Sequence, residues 1–284
     1  MILSCNTVLF RKYSLEKALE TIRSVGFEYF ETQAMSPFCP HVNVLEDDPV
    51  RFAEKAVDSG MKGVTALWMS NGRIIAEEES VESGIKTLNW CKAAGIPVMH
   101  TGDGMKPEGM SDEEAFSILR DRLLKIIAAA EEARVVVALE PHGTFSLSGV
   151  GLQRILTISQ SPYFGVNYDA ANIFRSFYIE NIHGDTFKRG ENNDMNRSSR
   201  EDEVEVLRSI LPRVKFYHAK DIKDGVCQAL GEGGVNNEDC IALLRESGYE
   251  GVVSLETDGS NTYEREVEIA RKSIGYLQKL LDPA

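Results

Sequence analysis

Four segments of the chain end in a side chain able to ligate a metal: VVVALE at Glu140, YFGVNYD at Asp169, VKFYH at His218 and VVSLE at Glu256. Each ligand stands where an apolar, β-branched run stops, which is the C-terminal end of an expected strand. Strands laid side by side in a parallel barrel would bring three carboxylates and an imidazole to one mouth. One nitrogen and at least three oxygens suit Mn²⁺, Mg²⁺, Co²⁺ or Zn²⁺ better than a thiol-seeking metal. A lone acidic residue after a strand is ordinarily a solvated loop residue or a helix cap. Four at successive strand ends imply a site for one divalent ion.

The elements that must position these ligands repeat along the chain. In SVGFEYFET, SGMKGVTALW, AAGIPVMHT and ESGYEGVVSLET, a helix-like stretch stops at a glycine (Gly26, Gly60, Gly95, Gly248) and a strand-like run follows. Glycine enters the left-handed conformation without a Cβ clash, which suits a helix C-terminus. Strands are expected near 2–6, 27–32, 62–68, 96–101, 134–140, 163–169, 213–218 and 250–256. Helices fit near 14–25, 49–59, 79–94, 112–132, 150–158, 201–211, 236–247 and 262–282. Strands joined by helices run parallel with right-handed crossovers, and eight of them close a barrel. The fold class is therefore α/β, a (β/α)8 TIM barrel, with residues 1–284 forming a single domain. A doubly wound open sheet would not explain ligands at four successive strand ends, and no Gly-rich phosphate fingerprint follows the first strand. The polar stretch 181–200, NIHGDTFKRGENNDMNRSSR, departs from the repeat as an insertion beyond Asp169, readable as a lid or as a surface loop.

Composition narrows the function classes. With 31 basic and 44 acidic residues the formal charge is −13, which repels nucleic acid and anionic membrane surfaces. Neither a signal peptide nor an 18-residue apolar run is read in the sequence, so a cytoplasmic protein with no nucleic-acid or membrane partner is expected. Cys5, Cys39, Cys91, Cys227 and Cys240 lack metal-type spacing and suit buried thiols in a reducing compartment. Helix faces on a barrel exterior leave a homo-oligomer open.

The motifs ALEPHG, GVNYDAAN, FYHAKD, LGEGGVN and GYEGVVSLE resemble those of the xylose isomerase-like TIM barrel superfamily, the sugar phosphate isomerase/epimerase group. That group also includes inosose and dehydroshikimate dehydratases and endonuclease IV. The resemblance implies that Glu140, Asp169, His218 and Glu256 are the metal ligands. It also implies that Glu140 and Glu256 lie on opposite faces of a bound sugar as catalytic residues. The chemistry it implies is proton abstraction next to a carbonyl, through a metal-stabilised enediolate.

Departures from subfamily patterns matter too. Free-ketose 3-epimerases carry a glutamate and a histidine where this chain has Ser146 and Asn172, and endonuclease IV needs further His and Asp ligands. His142 and Lys220 each follow a ligand by two residues, so the strand period points them to the same side. They are expected at the substrate with Asn172 and Trp68, the latter as an apolar wall. Glu31, His100, Asp103 and Glu232 also fall near strand ends and are not expected to be catalytic. The expected function is a divalent-metal-dependent isomerase or epimerase of a small carbohydrate or keto-sugar. The alternatives are a dehydratase (lyase) of a keto-polyol and a non-catalytic sugar-binding barrel.

Overall fold

Local chemistry sets the helix boundaries in the computed structural model, which describes residues 1–176, 201–259 and 262–281. Helix α1 (Leu15–Val25) opens on Ser14, whose hydroxyl accepts from the Lys17 amide, and closes on Gly26 at φ 113°. Asp48 caps α2 (Pro49–Asp58), with Pro49 in the first turn, where its missing N–H costs nothing. Next come α3 (Glu79–Ala94) and α4 (Asp112–Ala133), the latter capped by Ser111 with Asp112, Glu113 and Glu114 against the helix dipole. Ser148 caps α5 (Gly149–Leu156), α6 (Ala170–Ser176) follows, and Asp202 and Asn236 cap α7 (Glu203–Ile210) and α8 (Asn237–Glu246). The last helix is α9 (Tyr263–Leu281).

The strands are β1 (Ile2–Asn6), β2 (Tyr29–Gln33), β3 (Gly63–Trp68), β4 (Val98–Thr101), β5 (Val136–Leu139), β6 (Phe164–Asp169) and β7 (Val214–Ala219). A short antiparallel hairpin of β8 (Asp221–Lys223) and β9 (Val226–Gln228) precedes β10 (Val252–Leu255). All barrel strands pair in parallel, and β10 hydrogen-bonds to β1 to close the ring, which leaves no sheet edge. The eight strands and eight helices expected from the sequence lie within two residues of these bounds. The sequence reading missed a 3₁₀ turn (Thr7–Phe10), α6 and the β8–β9 hairpin. The polar stretch 181–200 lies outside the described residues.

The main core lies between strands and helices, with Phe30, Leu67, Leu119, Leu139, Val166 and Leu255 among its buried members. A separate small cluster of Ala66, Val98, Ala138 and Phe216, packed by Val136 and Val252, fills the barrel's lower interior. The period of two explains the placement: Ala138 precedes Glu140 by two residues and Phe216 precedes His218 by two, so they share the inward face. The register shifts where β3 carries one extra residue between Val64 and Leu67, opposite Glu31 of β2, and where β7 carries Lys215 between the partners of Val166 and Asn167. After the second shift Asp169 stands level with His218.

Candidate metal centre

Two glutamates extend the ladder one residue beyond their strands. The Glu140 amide donates to the Thr101 carbonyl (2.7 Å) and the Glu256 amide to that of Ala219 (3.1 Å), so both side chains leave a fixed backbone. Asp169 ends β6 and His218 is the penultimate residue of β7. One ligand atom from each of Glu140, Asp169, His218 and Glu256 lies within 4.8 Å of the others, and all four residues are buried. The sequence-expected set thus converges on one point.

A web of donors fixes the carboxylates. Glu140 Oε1 accepts from the Asn172 amide (2.7 Å) and Oε2 from that of Asn167 (2.9 Å). Glu256 Oε1 accepts weakly from Asn6 and Gln33, both at 3.4 Å. Lys220 Nζ reaches Asp169 Oδ2 at 2.7 Å and Glu256 Oε2 at 2.5 Å. His218 Nδ1 stands 3.0 Å from Glu140 and 3.5 Å from Glu256, while its Nε2 stands 2.9 Å from Glu31.

Burial and charge shape the titration of the centre. Burial, then the neighbouring Glu256, pushes Glu140 up to about 7. Burial would push Asp169 up as well, but Lys220 and His218 outweigh it and hold that carboxyl below its ordinary value. Burial pulls His218 down, yet Glu31, Glu256 and Glu140 outweigh it and raise the imidazole well above its usual range. Lys220 is likewise raised, burial being overcome by Asp169 and Glu256.

This donor set fits a divalent cation. With His218 neutral, as ligation requires, three carboxylates and one ammonium leave two negative charges among these residues, which one such ion would neutralise. One imidazole and three carboxylates suit borderline or hard ions such as Zn²⁺, Mn²⁺, Co²⁺ or Mg²⁺.

Above the centre opens a cavity of about 730 Å³. Glu140, Glu256, His142, Lys220 and Arg175 form polar parts of its lining, and Trp68, Met35 and Phe38 form apolar parts. Trp68 is 6% exposed and meets the His142 ring edge-on at 5.7 Å. Burial, then Arg175 and Lys220, brings His142 down to about 4. Asn172, expected at the substrate, instead lies behind Glu140: its side chain is wholly buried, its amide holds that carboxylate, and it does not line the cavity.

Several residues set aside or missed in the sequence take defined places. Asp103 is a buried latch that accepts from the Phe145 and Ser146 amides and from the Ser146 hydroxyl. The same Ser146 hydroxyl accepts from the His142 amide (2.8 Å), so the latch holds the loop carrying His142. Gly143 is required there, because a Cβ would meet an Asp103 oxygen at 2.1 Å. Asp221 latches the LGEGGVN loop in the same way, through the Gly231, Gly233 and Val235 amides. Glu232 turns outward to Lys272 on α9 (2.7 Å) and does not line the cavity. Asn167, Asn6 and Gln33 were missed, although Asn167 lies two residues before Asp169 and the strand period would have found it. No cysteine pairs in a disulfide among the described residues, and Cys5, Cys39, Cys91 and Cys240 are buried. Among the described residues no helix is long and apolar enough to cross a membrane.

A family model described as a xylose isomerase-like TIM barrel matches residues 19–280. No curated protein matches the chain. Among solved structures, a D-tagatose 3-epimerase-like protein superposes with a TM-score of 0.76 at 17% identity, over 99% of this chain and 97% of that one. The IOLI protein, solved with a binding zinc atom, gives 0.74 at 17% identity over 99% and 98%. The probable 3-DHS dehydratase AsbF of Bacillus anthracis, described as involved in petrobactin synthesis, gives 0.71 at 17% identity, each chain being covered completely (100%). At these identities the likeness is one of fold.

Proposed function

Because this chain belongs to the xylose isomerase-like TIM barrel family, we propose that it is a divalent-metal-dependent isomerase or epimerase. Its substrate is a small carbohydrate or keto-sugar, and the reaction moves a proton next to a carbonyl. The observation that carries this reading is the convergence of Glu140, Asp169, His218 and Glu256 within 4.8 Å at the floor of a cavity. Glu140, Asp169, His218 and Glu256 would hold the ion, which would supply positive charge to a carbonyl oxygen and its neighbouring hydroxyl.

The chain's own groups do the rest. Glu140 and Glu256 both line the cavity, each with Oε1 anchored by amides, so their orientation is set before substrate arrives. One of the pair takes the proton adjacent to the carbonyl and the other returns one. Trp68 offers a flat apolar face to the C–H side of a sugar, and His142 and Lys220 offer polar atoms to its hydroxyls.

A lyase is the second reading, favoured by one observation: His142 and Lys220 line the same cavity as the two glutamates. Lys220 Nζ, 2.5 Å from Glu256, could give a proton to a departing hydroxyl. The test is proton NMR of the Mg²⁺- or Zn²⁺-loaded protein in D₂O with a panel of ketoses, aldoses and inososes. Deuterium entering beside a carbonyl supports the proposal, and the product separates isomer or epimer from dehydrated species. Glu140→Gln and Glu256→Gln should each lower turnover by about 100-fold or more with metal supplied. Near-normal kcat in either variant removes that residue from the proton-transfer role. Binding of a sugar without exchange across the panel would favour a non-catalytic sugar-binding barrel.

A further inference from the structure

One carboxylate beside the centre has no part in the proposed reaction. Glu31, 1% exposed on β2, points into the barrel and pairs in register with Asn6 of β1. Its Oε1 lies 2.9 Å from His218 Nε2 and its Oε2 lies 3.4 Å from His100 Nδ1. Neither oxygen has an aligned hydrogen-bond donor among the described residues. A carboxylate taken out of water this completely needs a compensating proton or cation close by, and of the two imidazoles beside it His218 is the nearer. The ring's Nδ1 faces Glu140 and Glu256 and its Nε2 faces Glu31, with the Asn167 amide beside it at 3.1 Å from Nδ1 and 3.2 Å from Nε2.

Resting on the metal site proposed above, we infer that Glu31 is a positioning residue that keeps the proton on His218 Nε2 and so leaves the Nδ1 lone pair toward the other ligands. A metal-binding imidazole whose second nitrogen is held by a carboxylate is fixed in tautomer and orientation, and it is a stronger base toward the ion. His100 lies beside this pair. Its ring meets Phe216 edge-on at 4.5 Å, and its Nδ1 stands beside the second Glu31 oxygen, which restrains rotation of that carboxylate. Glu31 faces the register shift from the regular side, opposite the extra residue that β3 carries between Val64 and Leu67.

The experiment is Zn²⁺ titration by calorimetry of wild type, Glu31→Gln and Glu31→Leu, with histidine ¹⁵N NMR of the Zn²⁺-loaded wild type. Zn²⁺ affinity should fall by about 10- to 100-fold in Glu31→Leu and by less in Glu31→Gln, which keeps an acceptor oxygen. The metal-free unfolding temperature should stay level or rise in Glu31→Leu, because an apolar replacement removes a buried charge. The loaded wild type should show His218 protonated at Nε2. Affinity within twofold of wild type in Glu31→Leu, a proton on Nδ1, or two Zn²⁺ per chain with Glu31 as a direct ligand would each overturn the inference. So would affinity losses that merely track losses in metal-free stability. If the wild type binds no Zn²⁺ the proposed metal site falls and this inference with it. One Zn²⁺ in wild type, lost on Asp169→Asn but unchanged on Glu31→Leu, leaves the metal site standing and removes only the role of Glu31.

Discussion

Lys220 separates ligation from chemistry in this site more cleanly than any ligand can. Its ammonium sits between Asp169 and Glu256, neutralising the carboxylates that a cation would also neutralise. Lys220→Met is therefore expected to retain or raise Zn²⁺ affinity, and under the lyase reading it also lowers kcat by about 100-fold or more, a split that titration and steady-state kinetics would show together. The four candidate ligands were legible because each is a charged or imidazole side chain ending an apolar run. Glu31 and His100 were visible too, but nothing in the sequence says that a strand residue faces a particular imidazole. Asn172 shows the opposite limit. It was expected at the substrate because it stands where free-ketose 3-epimerases carry a histidine, and here it lies in α6 with its amide on Glu140.

At the level of elements, the latched loops decide whether the polar residues reach the cavity. The loop after β5 depends on Asp103, Ser146 and the absence of a side chain at Gly143. Gly143→Ala must push the loop or the Asp103 carboxylate aside and strand buried donors. We expect a loss of about 1–3 kcal/mol in urea unfolding together with a raised KM, since His142 moves with the loop. Alternating helix, glycine and strand made the barrel strands readable, because parallel strands buried on both faces are short apolar runs and the stops Gly26, Gly60, Gly95 and Gly248 all take positive φ. Helix α6 was missed although Asp169 caps it, its Oδ1 accepting from the Asn172 backbone amide at 3.0 Å, because the helix follows the last strand residue with no loop between them. The β8–β9 hairpin did carry a signal in Asp224-Gly225, where both residues have positive φ, the geometry a two-residue hairpin turn demands.

For the molecule as a whole, folding makes stability and ion binding one problem. The candidate ligands stand at the ends of β5, β6, β7 and β10, four neighbouring strands of the barrel that helices separate in sequence. An ion bound only by the closed barrel adds about 2.7 kcal/mol to stability at 100 times its Kd. Zn²⁺ should therefore raise the unfolding temperature of wild type and have little effect on Asp169→Asn. Glu140 is pushed up to about 7, so protons compete with the ion below that pH, and the Zn²⁺-dependent gain should shrink as pH falls from 8 to 6. A gain that is flat across this range would contradict proton competition at Glu140.

Among the described residues Ala66, Val98, Ala138 and Phe216 plug the lower barrel with hydrocarbon, so the proposed ion and substrate would share the cavity as their door. Such a plan imposes a queue. The ion would enter before the organic molecule, and a scavenger of metal would rob the centre only while the doorway stands empty.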